Sequence, residues 1–526
     1  MSSPAPEHTQ SRKRPGAACV ECRRRKMRCD GKQPQCENCV NSGVECIFSP
    51  SNTRRGPKKG HLKSLQIRIT NLENRLLEQR HDHSTATGGT TSVQPFSHGY
   101  DGRSELNVLP HEFHVPGAIP GPSAATIPVS DLLHAELDQL YFDRVHDFVP
   151  VVHRHRYLSW TKDADKHLSR RSLQYAMWSM AASMSTQLDH LCDPLYRSAR
   201  GLLEASGLTD DPALHDTEHV QALLVLSIYE FTRHTFRRGW ISAGQCFRLV
   251  QLMNWHRIDT NLEAVPLQPD ELICMEEKRR VFWMAYVLDR FVCTRLENPL
   301  TFDERIITTR LPATENAFLT GQLSQPTGFL PEIIAAGDSV PRTWLTECIV
   351  LAALCGQIFS HKQQTTVEQV LCGVSSGFWQ RHQWLEALLV KKSQIISAAQ
   401  LLIPAGPIDP MLLFLNLVAH SNLLYHCTAV DSVSPTDSDV VLGYQQRAWI
   451  SAQEIVRLTR MVSELNHFEI HPFTPLPIML CAKFFMTHPN MDISSPLQLQ
   501  EVLGTLQRLA ETNYLSRDCL SRCVDV

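Results

Sequence analysis

CVECRRRKMRCDGKQPQCENCVNSGVEC, residues 19–46, holds six of the chain's 17 cysteines. They stand at Cys19, Cys22, Cys29, Cys36, Cys39 and Cys46, which is the unit C-x2-C-x6-C written twice, its copies 17 residues apart. At this chain's own cysteine frequency, six preset positions all falling on Cys is roughly a one in 10^9 coincidence. A C-x2-C pair sets two thiolates on one side of a tight turn, and a cysteine two helical turns further on can close on the same metal. Six sulfurs are too few for two separate four-sulfur tetrahedral sites. Two zinc ions are satisfied only when two cysteines are shared, and the twofold repeat makes Cys19 and Cys36 the expected bridges.

Between the ligands at Cys22 and Cys29 lie Arg23-Arg24-Arg25-Lys26-Met27-Arg28, five cations in six residues. The reading is a short rigid helix, positive over nearly all its surface. Arg24, Arg25, Lys26 and Arg28 are the candidate DNA contacts, because guanine offers N7 and O6 acceptors to Lys or Arg in the major groove and the remaining cations can neutralise phosphates. Net charge supports this. Residues 1–60 carry 13 Lys/Arg against 5 Asp/Glu, whereas the rest of the chain carries 38 against 49. A basic head on an acidic body predicts a polyanion partner for the head alone.

The cysteine spacing resembles, without departure, the fungal Zn(2)-C6 binuclear cluster family. That resemblance implies bridging by the first and fourth cysteines, here Cys19 and Cys36. It also implies that the lysine four residues after the second cysteine, Lys26, reads a CGG triplet, and Pro34 matches the family's loop proline. A nuclear, zinc-dependent regulator of transcription follows as the expected function. Family habit points to an activator that engages the transcription machinery, with a repressor or a regulator of primary metabolism as alternatives. A compact chain of this kind looks like a pathway-specific regulator, such as one for a secondary-metabolite gene cluster.

Outward from the cysteines, residues 1–16 are polar and Pro-bearing and read as disordered, with residues 17–48 as the metal module. Residues 49–61 form a basic linker in which Arg54, Arg55, Lys58 and Lys59 face phosphates. Leu62, Leu65, Ile69, Leu72 and Leu76 recur at 3, 4, 3, 4, the a and d positions of a heptad. Residues 62–79 therefore read as a short coiled coil joining two chains in a homodimer, and the resemblance favours this because the family commonly places one just after a basic linker. Residues 80–129, rich in Gly, Ser, Thr, Pro and His, read as a flexible hinge.

From Ser130, an expected N-cap, to residue 526 the apolar spacing is helical and strand alternation is scarce. The expected class is mainly α: a small zinc cluster module, a short coiled coil, a flexible hinge and a large all-helical domain. Tyr141–Tyr157, Gly239–Asp259 and Glu276–Pro312 resemble the family's middle homology region, the fungal-specific transcription factor domain, which implies a helical regulatory body. Glu276, Glu277, Lys278, Arg279 and Arg280 read as the solvated, ion-paired face of an amphipathic helix rather than an acid–base site. The eleven cysteines outside the module read as buried inert thiols.

Other function classes find little support. No run of about 18 apolar residues marks a membrane helix, and the first residues lack the apolar stretch of a secretory signal, so no membrane partner is expected. Gly373-Val374-Ser375-Ser376-Gly377 satisfies G-x-S-x-G, but the nucleophile elbow needs a strand before it and a parallel sheet around it. His111-Glu112-Phe113-His114 is one residue short of H-E-x-x-H. The chain is not expected to be an enzyme.

Overall fold

The computed structural model describes residues 19–32, 34–47, 127–163, 165–206, 216–260, 268–296, 298–323, 327–336, 342–372, 377–402, 408–432 and 439–524. The N-terminal segment, the linker with Arg54, Arg55, Lys58 and Lys59, the heptad positions Leu62 to Leu76, His111–His114 and most of the hinge lie outside the described residues. The chain divides into two compact units, Met1–Phe113 and His114–Val526.

In the first unit the described helices are α1 (Val20–Arg24) and α2 (Glu37–Asn41), each beginning directly after the first cysteine of a C-x2-C pair. Helices of five residues do not persist in water by themselves. What holds these two is sulfur: Cys19, Cys22, Cys36 and Cys39 are the buried core, with Cys29, Val44 and Cys46 against them.

The second unit is helical throughout its described residues, with no strand. Its order is α3 (Asp131–Leu140), α4 (Arg154–Trp160), α5 (Leu168–Ala182), α6 (Cys192–Ser206), α7 (Thr217–Arg233), α8 (Phe236–Leu252) and α9 (Pro269–Leu296). After two short helices, α10 (Glu315–Thr320) and α11 (Leu330–Ala336), come α12 (Trp344–Cys372), α13 (Phe378–Leu402), α14 (Pro410–Thr428) and α15 (Asp439–Val462). The unit ends with α16 (Pro475–Thr487), α17 (Ser495–Leu509) and α18 (Tyr514–Val524). Sequence neighbours pack as pairs, α5 on α6, α7 on α8 and α14 on α15, while α18 returns to lie on α7 and α8. One continuous hydrophobic core results, running from Leu137 to Cys523.

Ser130 caps α3 as expected, accepting from the Leu133 N–H at 3.4 Å. Residues 127–129, read from the sequence as the end of a hinge, are attached to the body: the Ile127 carbonyl accepts from the Tyr175 hydroxyl at 2.9 Å, and Ile127 and Val129 pack on the core. Leu132 does not join that core; it is exposed, while Leu133, Leu137, Tyr141 and Val145 face inward through a π-helical turn over Tyr141–Val145.

The charged stretch Glu276–Arg280, expected to open a helix, lies two turns inside α9 and is also different from its expectation. It is ion-paired but not solvated: Glu276, Glu277 and Arg280 are buried. Arg280 donates to Glu276, to Glu315 at 2.6 Å and to the carbonyls of Pro150 and Ala313. Glu277 accepts from the His153 N–H at 2.9 Å and pairs with Arg156 at 2.7 Å. These charges tie the start of the body to α9, a partnership across more than a hundred residues that helical periodicity cannot register.

Helix α12 is long and apolar enough, by length and composition, to cross a membrane between Trp344 and Leu371, contrary to expectation. Since 83% of that window is buried among its neighbours, it is a core helix. Gly373–Ser376 of the G-x-S-x-G stretch lie outside the described residues; the described elements on either side are helices, α12 ending at Cys372 and α13 beginning at Phe378, whereas a nucleophile elbow needs a strand before it. Outside the module Cys192, Cys246, Cys293, Cys348, Cys355, Cys427, Cys481, Cys519 and Cys523 are buried, Cys274 is half-buried, and burial pushes the Cys246, Cys348 and Cys427 thiols up to about 12.

Candidate metal centre and nucleic-acid interface

The twofold repeat of the sequence reappears as a twofold pattern of contacts. At the head of α1 the Cys22 N–H points at Cys19 Sγ at 3.4 Å, and at the head of α2 the Cys39 N–H meets Cys36 Sγ in the same way. Cys19 Sγ lies 3.7 Å from both Cys36 Sγ and Cys39 Sγ, and Cys22 Sγ lies 3.6 Å from Cys36 Sγ. A zinc–sulfur bond of about 2.3 Å gives a tetrahedron with edges of about 3.8 Å, so these sulfurs are already spaced as a shared zinc shell needs. The Sγ atoms of Cys19, Cys22, Cys36 and Cys39 all fall within 4.8 Å of one another, and Cys29 with Cys36 meets the same limit. Cys29 reaches Cys22, and Cys46 reaches Cys19, Cys36 and Cys39, with the Cys36 N–H 3.3 Å from Cys46 Sγ. All six sequence-expected ligands are therefore brought together.

Acidity follows the same symmetry. The Cys22 N–H, foremost, and the thiols of Cys22, Cys39 and Cys36 hold Cys19 down to about 6. At Cys36 burial opposes the shift, but the Cys39 N–H and the neighbouring thiols lower it too. Burial and the thiolates so formed push Cys22 up to about 12 and raise Cys39. In each pair the second cysteine's N–H points at the sulfur of the first and favours its thiolate. A divalent cation among the sulfurs removes the obstacle to the rest.

The cation run does not form the expected helix over residues 23–28. Helix α1 stops at Arg24, and Lys26 takes a left-handed φ of 55°. The Met27 N–H then donates to the Cys22 carbonyl at 2.9 Å and the Arg25 N–H to the Glu21 carbonyl at 3.0 Å, a left-handed helix cap of the kind glycine usually supplies. Asn38 of α2 donates to the Arg28 carbonyl at 2.7 Å, and Asp30 accepts from the Glu37 N–H at 3.3 Å, so the strip after the cap is clamped to the second half of the module.

Arg24, Arg25, Lys26 and Arg28 are all exposed, but they are not equivalent. Glu21, which the sequence reading passed over, takes two hydrogen bonds from Arg24 and one from Arg25, and those bonds hold its carboxyl down at about 2. Its signal was present in the i+3 and i+4 spacing to Arg24 and Arg25. Lys26 and Arg28 have no carboxylate partner among the described residues. They are the cations left over for a polyanion.

The Fungal Zn(2)-Cys(6) binuclear cluster domain matches residues 17–55, and the Fungal specific transcription factor domain matches residues 139–376. A pigment biosynthesis transcriptional activator of Monascus ruber is 40% identical, over 99% of this chain and 96% of its own length. A citrinin biosynthesis transcriptional activator of Monascus purpureus is 39% identical over 98% and 93%, and an azaphilone cluster-specific transcription factor of Aspergillus niger 38% over 88% and 96%. No solved structure matches. The chain belongs to the fungal Zn(2)-Cys(6) binuclear cluster transcription factors with a fungal-specific transcription factor domain, nuclear DNA-binding proteins, not enzymes, whose cofactor is a pair of cysteine-bound zinc ions.

Proposed function

We propose that the chain is a pathway-specific activator of a secondary-metabolite gene cluster and finds its promoters by reading two CGG triplets as a homodimer. The observation that carries the DNA half of this reading is the pairing pattern on the cysteine cluster: Lys26 and Arg28, beyond the end of a helix anchored in sulfur, are exposed and have no carboxylate partner among the described residues. Lys26 presents its ammonium to guanine O6 and N7 and Arg28 faces phosphate, while Arg24 and Arg25 reach phosphates only in competition with Glu21. Cys19, Cys22, Cys29 and Cys36 hold one zinc; Cys19, Cys36, Cys39 and Cys46 hold the other. The pathway half rests on the relatives, whose names tie them to pigment, citrinin and azaphilone biosynthesis.

One helix end covers about one triplet, which is too little information for a genome. Pairing through Leu62, Leu65, Ile69, Leu72 and Leu76 supplies the second triplet, and the basic pairs Arg54-Arg55 and Lys58-Lys59 track the phosphates between. The test is a mobility-shift titration of the full chain on duplexes with two CGG triplets at varied spacing, with zinc and after chelation. Tight, zinc-dependent binding at a preferred spacing is expected. Substituting Asp for both Leu65 and Leu72 desolvates two charges in an apolar seam and abolishes the spacing preference while weak binding to a lone CGG persists. Equal binding to scrambled duplexes, or binding that survives chelation, overturns the reading of the site. An unchanged spacing preference in the double substitution overturns the dimer.

A further inference from the structure

Helices α9, α12, α14, α16 and α18 converge on a cleft of about 870 Å³ in the regulatory body. Part of its wall is apolar, built from Leu424, Leu480 and Phe484. The rest is cationic. Arg295, Lys362, Lys483 and Arg522 all line it, in a chain whose residues beyond 60 carry 38 Lys/Arg against 49 Asp/Glu. Asp431 is the one carboxylate among the described lining residues, and it is already engaged, by His488 and by Gln445 at 3.4 Å each.

The four cations differ in what they have. Arg295 is paired with Asp518 and stacked 3.5 Å over the Phe236 ring. Lys362 lies 4.8 Å over the Tyr425 ring. Lys483 and Arg522 are half-buried and have no carboxylate among the described residues. A half-buried ammonium and guanidinium have given up hydration with nothing in return, and that cost falls when an anion enters. Burial holds the Arg295 guanidinium below its usual range in spite of Asp518, and the nearness of Arg522 adds to this.

We propose that this cleft is a binding site for a small organic carboxylate with an apolar body. The carboxylate bridges Lys483 and Arg522, where a guanidinium's paired donors match its two oxygens, and the apolar body covers Leu424, Leu480 and Phe484. The cleft has the size of a small-molecule site, commonly about 300–1,000 Å³. An inorganic anion has no use for the apolar wall, and a neutral apolar molecule leaves the cations as they were. Both chemistries are needed.

The test uses the full chain and 8-anilinonaphthalene-1-sulfonate, a fluorescent probe that joins an anion to apolar rings, displaced in parallel by octanoate, octanol and inorganic phosphate. Octanoate is expected to displace one saturable class of probe, and octanol and phosphate at equal concentration are expected not to. The double substitution Lys483→Met with Arg522→Gln loses that class, weakening octanoate by about tenfold or more, whereas Lys483→Arg with Arg522→Lys retains it. Thermal melting checks that each variant is folded, and the octanoate against octanol comparison on the unsubstituted chain decides the matter even where a variant is not. Displacement by octanol or phosphate equal to that by octanoate overturns the proposal, as does a displaceable class that survives in a folded Met/Gln variant.

Discussion

Arg25, just past the end of α1, donates from Nε to a Glu21 carboxylate oxygen at 2.6 Å, so a cation expected to face DNA is held by a carboxylate of the helix before it. Arg24 reaches the same carboxylate through two donors, and the net positive charge of the reading surface is reduced accordingly. Glu21→Gln removes the charge and keeps an acceptor. DNA affinity should rise severalfold on every duplex alike, with a salt dependence steeper by about one phosphate contact. Titration on CGG and scrambled duplexes at several salt concentrations checks this; a change in their affinity ratio would place Glu21 in sequence readout instead.

Lys26 carries two burdens, a side chain aimed outward and a backbone at φ 55°. The two separate by substitution. Lys26→Gly keeps the cap and relieves a left-handed conformation that costs an L-residue roughly 1 kcal/mol, whereas Lys26→Ala keeps the strain. Both lose the ammonium, so both should lose discrimination for CGG, about 10- to 100-fold. The Gly variant should be the more resistant of the two to thermal unfolding and to chelation. If the Gly variant reads CGG as well as the parent, Lys26 acts only as a helix cap.

Cys36 meets Cys19, Cys22, Cys39 and Cys46, by its sulfur or its backbone N–H, and its Sγ lies within 4.8 Å of that of Cys29. Replacing a terminal ligand and replacing a shared one therefore have different consequences. Cys46→Ala leaves one four-sulfur shell complete and should retain about one zinc per chain, while Cys36→Ala breaks both shells and should retain none. Metal analysis of purified protein by mass spectrometry reads the difference. One full zinc in the Cys36 variant is incompatible with a shared cluster. Because the module's buried core is sulfur, loss of metal should also unfold it.

The metal centre was legible because coordination chemistry is written in spacing: six thiols at fixed intervals permit few arrangements. The end of α1 was not, since nothing in a run of cations marks Lys26 for a left-handed turn. The charged stretch of α9 was misread for another reason. Whether Glu277 is solvated depends on His153 and Arg156, and no local pattern reports partners so far away. Pro475 and Pro477 look like helix breakers in the sequence, yet they open α16, because at the first turn of a helix proline is well placed. The basic cleft was the least accessible to sequence of all, for its cations come from α9, α12, α16 and α18. Periodicity yields helices; which faces meet is decided by the packing.

The regulatory body should be acid-sensitive, and the reason is a stack of imidazoles. The rings of His382 and His426 lie 3.8 Å apart and nearly parallel, both wholly buried, with His361 closing the group 3.3 Å from His382. Phe378 stacks on His382, Tyr444 meets it edge-on, and Arg381, Arg447, Glu386 and Glu368 are the nearby charges. Burial, then His361, then Arg447 hold His382 down to about 3, and burial and Arg381 hold His361 down to about 4. A histidine with a lowered pKa binds its proton more readily in the unfolded chain. Its contribution to stability is present above about pH 6.5 and is lost as the pH falls toward the folded value, because only the unfolded state takes up the proton. At pH 5 the loss amounts to about 2 kcal/mol for a group such as His382. His382→Phe keeps an aromatic ring between Phe378 and His426 and removes the titration. The variant should match the parent's melting temperature near pH 8 to within a few degrees and fall less than the parent between pH 7 and pH 5. Parallel melting curves for the two proteins across that interval would mean that protonation at His382 does not govern the acid limb.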